Sequence, residues 1–168
     1  IEKRFGKIDF DAACTREDCV VDLDCEDWYS NGFFFDLGED ALARDWSHLL
    51  GHVFCNPPFA KARYFAKKIH ESGEGFWESD GYGDTALKWV WTGPKVSLLV
   101  PCPIDAQWFW KYVADVALVL PLSPRVPFLN ADGSPVLDKN GKQASINRPC
   151  MIAHYGEAPK QELWKWLE

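Results

Sequence analysis

The sequence lacks a long apolar run. No stretch approaches the roughly 18 consecutive apolar residues that a membrane-spanning helix needs, and no signal-peptide pattern opens the chain. We therefore predict no membrane association and a cytoplasmic protein. The first residue is Ile1 rather than Met, so we also expect that the chain is trimmed at its N-terminus.

The sequence also lacks paired cysteines. Without a secretion signal or a C-x-x-C pair, we expect reduced thiols at the six cysteines, which are Cys14, Cys19, Cys25, Cys55, Cys102 and Cys150. A zinc site would have to combine His48, His52 and Cys55. Gly51 and the strand-like HVFC would break the helix that aligns the two histidines, and no fourth ligand is evident. We predict no metal.

The chain lacks an excess of positive charge: 18 lysines and arginines stand against 25 aspartates and glutamates, so the net charge is −7. A protein that binds nucleic acid with its whole surface would be basic, so that class is disfavoured. Two local clusters are nevertheless cationic: Lys61, Arg63, Lys67 and Lys68, and a looser set of Lys139, Lys142 and Arg148. A nucleic-acid-binding face and an ordinary solvated helix surface both fit the first cluster.

The chain has no internal repeat, low-complexity tract or linker, so we predict one domain over residues 1–168. KIDFDAAC predicts a short strand that ends in a loop, and apolar runs predict buried strands in HVFC, KVSLLVP and VALVLP. We predict helices over EDALARDWSHLL, residues 62–69, TALKWVWTG, IDAQWFWKYVAD and QELWKWLE, and a long loop over SGEGFWESDGYGD. Turn residues in GSPVLDKNGK, between RVPF and PCMIAHY, predict a C-terminal antiparallel hairpin. The alternation indicates an α/β fold with a largely parallel sheet and helices on both faces.

The stretch HVFCNPPF allows two interpretations. Adjacent prolines cannot lie inside a helix body or a central strand, so Asn56 would cap a helix whose first turn contains Pro57 and Pro58. Alternatively, the turn is a binding site at the carboxyl end of a strand, where α/β sheets bind ligands. The amide oxygen of Asn56 and the carbonyl of Pro57 would then accept both hydrogens of one NH₂ group, and Phe59 would stack on a heteroaromatic ring.

The ordered series DFDAAC, DALARDW, VFCNPPF, SLLVP, RVPF and RPCMIAHY resembles phage-type DNA N6-adenine methyltransferases from Asp9 to Tyr155. This resemblance implies a Rossmann-like methyltransferase fold, S-adenosylmethionine as cofactor and DNA as substrate in a bacterial host that carries the phage or prophage. It implies that Asn56, Pro57, Pro58 and Phe59 bind and activate adenine N6. It also implies cofactor binding by Asp11, Ala12, Ala13 and Asp40, and nucleic-acid binding by Lys61, Arg63, Lys67, Lys68 and Arg125.

The sequence departs from the family pattern in one respect: DFDAAC stands where many methyltransferases have a glycine-rich loop. Three alternatives stay open. In the first, the Pro-Cys pair at Cys102 is the nucleophile of a C5-cytosine methyltransferase. In the second, an amino-methyltransferase acts on RNA adenine or protein glutamine through the same NPPF chemistry. In the third, the protein is a non-catalytic cofactor-binding or interaction module, which needs no catalytic residue. If DNA is the substrate, sequence reading must come from the 72–84 loop, the helix after NPPF or the 129–148 region.

Overall fold

The computed structural model describes residues 1–13, 41–79, 87–130 and 133–160, and the backbone of 161, 164 and 165. These residues form a mixed α/β fold. Its strands are β1 (Phe10–Asp11), β2 (His52–Cys55), β3 (Gly75–Ser79), β4 (Leu87–Trp91), β5 (Lys95–Pro101), β6 (Ala117–Ser123), β7 (Cys150–Tyr155), β8 (Lys160–Gln161) and β9 (Trp164–Lys165). Its helices are α1 (Glu2–Phe5), α2 (Ala62–Glu71) and α3 (Gln107–Phe109), which continues as a π-helical segment (Trp110–Ala114).

The main sheet has the strand order β1-β2-β5-β7-β6-β8, and β9 also pairs with β6. β1, β2 and β5 are parallel, whereas β7 runs antiparallel to both β5 and β6. β5 and β6 therefore point the same way, and β1, β2, β5 and β6 all end at one border of the sheet. We call this border the carboxyl edge and the opposite border the amino edge.

The two faces of the sheet are covered differently. One face packs against α2 and α3, through side chains that include Phe65, Ile69, Phe109 and Val113. On the other face, α1 and the connection between β6 and β7 contribute Phe5, Val126 and Ile146 to a second apolar cluster. The α/β prediction is confirmed, but the described residues form a mixed sheet with its longer helices on one face. The single-domain organisation stays a prediction.

Several predicted elements are present. The runs HVFC, KVSLLVP and VALVLP form β2, β5 and β6. PCMIAHY supplies β7, but the predicted hairpin with RVPF is wrong, because the antiparallel partners of β7 are β5 and β6, and Pro127 of RVPF instead bridges Ser145. α2 buries the four side chains that the helical spacing selects, Ala62, Phe65, Ala66 and Ile69. Apolar periodicity was sufficient here because each of these elements buries a continuous run or a helical stripe.

The helix predicted over EDALARDWSHLL is wrong for residues 41–50, which form turns. Asp45 accepts hydrogen bonds from the backbone N–H of Ser47 at 2.9 Å and from its hydroxyl at 2.9 Å. Such local side-chain bonds compete with the helical pattern. The segment is instead fixed by Trp46, which is fully buried and donates its indole N–H to the carbonyl oxygen of Ala41 at 2.9 Å.

The loop predicted over SGEGFWESDGYGD and the helix predicted over TALKWVWTG are also wrong where the structure describes them. β3 and β4 pair as an antiparallel hairpin. The hairpin begins where Gly73 and Gly93 meet, since a Cβ on Gly73 would lie 2.4 Å from the backbone nitrogen of Gly93. Tryptophan and valine alternate in LKWVW and favour a strand once a partner is available.

The helix predicted over QELWKWLE is wrong at each described position of that segment. Gln161 lies in β8 and Trp164 and Lys165 form β9, and both strands pair parallel with β6. The unpaired side of β6 offers backbone hydrogen bonds that a short isolated helix would not gain. None of the helices in the described part of the chain has the length and hydrophobicity to span a bilayer.

Candidate functional site

The carboxyl edge brings together the ends of β1 and β2. Asp11, the last residue of β1, lies opposite Phe54 in the parallel register, and Asn56 follows β2 directly. The ladder continues one residue beyond β1, because the Ala12 N–H donates to the carbonyl oxygen of Phe54 at 2.8 Å. Residues separated by more than forty positions in the chain are therefore neighbours at this edge.

The end of β1 carries a buried carboxylate. Asp11 is only 2% exposed, and its Oδ1 accepts a hydrogen bond from the Ala13 N–H at 3.2 Å. Ala12 is fully buried and Ala13 is half-buried. The remaining predicted cofactor residue, Asp40, lies outside the described residues. The structure thus groups three of the four predicted cofactor residues at the end of one strand.

Asn56 does not cap α2. That helix begins at Ala62 after a 3₁₀ turn (Phe59–Lys61), and its N-cap residue Lys61 makes no side-chain capping bond. Asn56 is exposed, and no hydrogen bond within the described residues engages its amide. The interpretation of NPPF as a capped helix start is therefore wrong.

The residues after Asn56 form a rigid turn. Pro57 is buried, whereas Pro58 is exposed with an extended backbone (φ −50°, ψ 128°), and its carbonyl oxygen accepts the Lys61 N–H at 2.7 Å. Phe59 keeps 36% of its surface exposed. The turn thus presents an amide and an aromatic ring at the end of a strand.

The thiols near this edge are held protonated. Burial raises the pKa of Cys55 well above its ordinary value, and the negative charge of Asp11 raises it further. Burial also raises the pKa of Cys102. Because a thiolate is the nucleophilic form of cysteine, these surroundings disfavour the alternative in which Cys102 attacks a cytosine.

The predicted nucleic-acid-binding residues lie at and beyond the carboxyl edge. Lys61 and Arg63 are exposed at the start of α2, close in sequence to NPPF, and Arg125 is exposed just after β6. Lys67 and Lys68 lie farther along α2, where the Lys67 ammonium is 3.6 Å from the Glu71 carboxylate. The Arg63 guanidinium packs over the Tyr64 ring at 4.5 Å and bonds its hydroxyl.

A second polar cluster, which sequence reasoning missed, lies toward the amino edge. Ser97 Oγ is 2.8 Å from His52 Nε2 and 2.8 Å from His154 Nδ1, and all three side chains are buried. The Phe5 ring stacks on His154 at 3.9 Å between centroids. The available signal was the presence of His52, Ser97 and His154 in three largely apolar runs. Their contact depends on strand register, which the sequence does not state.

We call His52, Ser97 and His154 the relay. Their hydrogen bonds fix the tautomers of the two histidines. His52 Nδ1 lies 3.3 Å from the carbonyl oxygen of Gly6, which can only accept, so Nδ1 carries the proton and Nε2 is an acceptor. Ser97 then donates to His52 and accepts from Nδ1–H of His154. Burial lowers the pKa of His52, and burial lowers the pKa of His154 to about 3, with further lowering by the positive charges of Lys95 and Arg4. Both imidazoles are neutral.

These positions also bear on the zinc alternative. Both ring nitrogens of His52 are engaged within the protein, and the side chain of His48 is 89% exposed beside Asp45. Within the described ranges, no three His, Cys, Asp or Glu side chains are grouped so that they could hold a metal ion.

Comparison with known proteins identifies the family. The family model described as DNA N-6-adenine-methyltransferase (Dam) matches residues 1–153. A "DNA N-6-adenine-methyltransferase" of Escherichia phage T1 is 24% identical over 161 residues, covering 87% of this chain and 56% of that protein, so the chain spans about half the length of this relative. No solved structure matches. The extent of the family match establishes that the chain belongs to the DNA N-6-adenine-methyltransferase (Dam) family.

Proposed function

We propose that the protein transfers a methyl group from S-adenosylmethionine to the exocyclic N6 amine of adenine in DNA. One observation carries most of the weight: the exposed Asn56, which caps no helix, follows β2 at the edge where the buried carboxylate of Asp11 ends β1. Family membership supports the same reaction. A Rossmann-like fold is part of the proposal and is supported by the four strands that end at the carboxyl edge.

Asn56 and Pro57 act on the target amine. The Asn56 amide oxygen and the Pro57 carbonyl accept its two hydrogens, which draws the nitrogen out of conjugation with the ring and frees its lone pair. Pro58 restricts the turn, and the partly exposed ring of Phe59 stacks on the base. Catalysis then consists of positioning and electrostatics, with no covalent intermediate.

The donor set at the end of β1 fits the proposed cofactor. The carboxylate of Asp11 suits the amino group of the methionyl part, and backbone groups of Ala12 and Ala13 lie beside it. We assign Asp40 to the adenosine part on the resemblance alone. When bound, S-adenosylmethionine supplies an electrophilic methyl group.

The substrate base must leave its stack. Adenine N6 is inaccessible inside a duplex, so the target is flipped out or single-stranded. The exposed side chains of Lys61, Arg63 and Arg125, with Lys67 and Lys68 farther along α2, supply positive charge for the phosphates. The phage origin of the relative supports a role in a bacterial host, where methylated adenines would protect phage DNA from restriction.

The test is transfer of labelled methyl from S-adenosylmethionine to unmethylated DNA, followed by digestion to nucleosides. We expect N6-methyldeoxyadenosine. Asn56→Ala should lower kcat by about 10²–10³, the loss typical for one preorganised hydrogen-bonding group, and should spare cofactor affinity. Glu74→Ala, an exposed change on the β3–β4 hairpin, is the control and should keep wild-type turnover.

Other results would change the proposal. Methylated RNA adenine or protein glutamine, without a DNA product, would retain the chemistry of Asn56 and replace the substrate. Absence of both transfer and S-adenosylmethionine binding by calorimetry would leave a non-catalytic module. Equal loss of turnover and cofactor affinity in Asn56→Ala would refute the division between base-binding and cofactor-binding residues.

A further inference from the structure

The connection between β6 and β7 leaves the carboxyl edge and returns to it. It comprises residues 124–149, of which 124–130 and 133–149 are described, and we call it the arm. β6 ends at Ser123 and β7 begins at Cys150, so both ends of the arm lie on the border that contains Asn56. At its base, the Ile146 N–H donates to the Val126 carbonyl at 3.0 Å, and both side chains pack against the sheet.

Backbone hydrogen bonds hold the arm in a defined shape. Three extended segments are linked in a cycle: the Phe128 N–H donates to Ala144 at 2.9 Å, the Ala144 N–H donates to Val136 at 2.7 Å, and the Val136 N–H donates to Phe128 at 3.1 Å. Each segment therefore bonds both others. A partner that binds the arm meets a largely preformed surface, which lowers the entropic cost of binding.

A tight turn presents two lysines at one end of the arm. Asp138 closes this turn: its N–H donates to the Lys142 carbonyl at 2.7 Å, and its Oδ1 accepts the N–H groups of Asn140 at 2.8 Å and Lys142 at 3.0 Å. Gly141 supplies the required positive φ of 74°. The side chains of Lys139 and Lys142 are exposed on either side of this turn.

The charge of the arm contrasts with that of the rest of the chain. Arg125, Lys139, Lys142 and Arg148 outnumber its two acidic residues, so the arm has a net charge of +2 while the whole chain has −7. Phosphate groups are attracted to such a local concentration of exposed cations.

The β3–β4 hairpin has the opposite placement and charge. It follows the end of α2 and leads into the start of β5, so it leaves the sheet at the amino edge. Its exposed charged residues include Glu74 and Glu78 against Lys88. Its exposed aromatic side chains therefore lie at the amino edge, too far from the carboxyl edge to contact a base held at Asn56. Of the two candidate regions for reading DNA sequence that contain β-structure, residues 72–84 and 129–148, the topology of the sheet favours the second, which lies in the arm.

We propose that the arm is a DNA-binding element, in which Lys139 and Lys142 contact phosphates and hold the duplex against the carboxyl edge. The inference rests on the proposed function, because it takes DNA as the substrate. The major groove admits a two-stranded β-ribbon, and the arm is likewise built of short extended segments joined by backbone hydrogen bonds. α2 then contributes its own cations from the other side of Asn56.

The test compares two double variants with equal loss of charge. Lys139→Ala/Lys142→Ala removes the arm cations, and Lys88→Ala/Lys111→Ala removes two exposed lysines elsewhere. Binding to a fluorescent 30-base-pair duplex of mixed sequence is measured by anisotropy over a range of salt concentrations. We expect weaker binding and a salt-dependence slope reduced by about 1 for each arm lysine, with the control double variant unchanged. Equal unfolding midpoints confirm intact folding.

The two hypotheses fail separately. Wild-type affinity and slope in the arm variant, or no measurable binding of DNA by the wild-type protein, would overturn the role of the arm. Loss of binding in the arm variant supports that role whether or not methyl transfer is detected. Absence of methyl transfer from a wild-type protein that binds the duplex through the arm counts against the proposed reaction only.

Discussion

Acid should destabilise the protein through His154 in a predictable way. Its ring is buried, stacked on Phe5 and bonded to Ser97, and its pKa is lowered from 6.5 to about 3. A histidine whose pKa is depressed in the folded state favours folding when it is deprotonated, and hence neutral. The stabilisation is fully present above pH 6.5 and is lost progressively as pH falls toward 3.

The size of the effect follows from the pKa difference. Each pH unit below 6.5 costs about 1.4 kcal/mol until the folded-state pKa is reached. Between pH 7 and pH 5, His154 alone should therefore lower the free energy of unfolding by about 2 kcal/mol. This window lies above the range where most carboxylates titrate.

The assay is urea unfolding at pH 7 and pH 5, at constant ionic strength. His154→Gln keeps an N–H donor for Ser97 but does not titrate, so the difference between the two pH values should shrink by about 2 kcal/mol. His48→Gln, at an exposed position, should retain the wild-type difference. If His154→Gln kept the wild-type difference in free energy of unfolding between pH 7 and pH 5, the lowered pKa of His154 would be refuted.

Three further predictions concern single side chains. Asp11→Ala should weaken S-adenosylmethionine binding about 10–100-fold by calorimetry, because a charge-assisted bond is worth about 1.5–3 kcal/mol; unchanged affinity would remove Asp11 from the cofactor site. Ile69→Ala, at a fully buried position of α2, should cost about 2–5 kcal/mol in urea unfolding, whereas Lys67→Ala on the same helix should cost less than about 1 kcal/mol. Gly73→Ala should destabilise the hairpin, because its Cβ would lie 2.5 Å from Cα of Gly93; a wild-type near-ultraviolet circular dichroism spectrum and melting temperature would contradict that contact.

The sequence predicted correctly those helices and strands that are determined by residues close together in the chain. α2 follows from one apolar stripe, and β2 and β5 follow from continuous apolar runs between turn residues. The helix predicted around Trp46 was wrong because a helical spacing of apolar residues does not reveal the local hydrogen bond from Ser47 to Asp45. The prediction for the β3–β4 hairpin was wrong because its glycine and acidic residues suggested a loop.

The candidate site was predictable only in part. A proline pair after an apolar strand locates Asn56 at a strand end, and this required no knowledge of the fold. That Asp11 lies at the adjacent strand end depends on pairing of Phe10 with Val53 and of Asp11 with Phe54, which is set by the sheet as a whole. The role of the arm likewise depends on which edge each connection leaves.

The position of the relay has a consequence for engineering. His52, Ser97 and His154 lie toward one border of the sheet and Asn56 follows the other, at opposite ends of strands such as β5, whose seven residues span about 20 Å. Substitutions at separated sites with no shared partner act additively. A more acid-tolerant variant could therefore be sought by replacing the relay with apolar side chains of similar volume, because these substitutions lie away from the candidate site at Asn56.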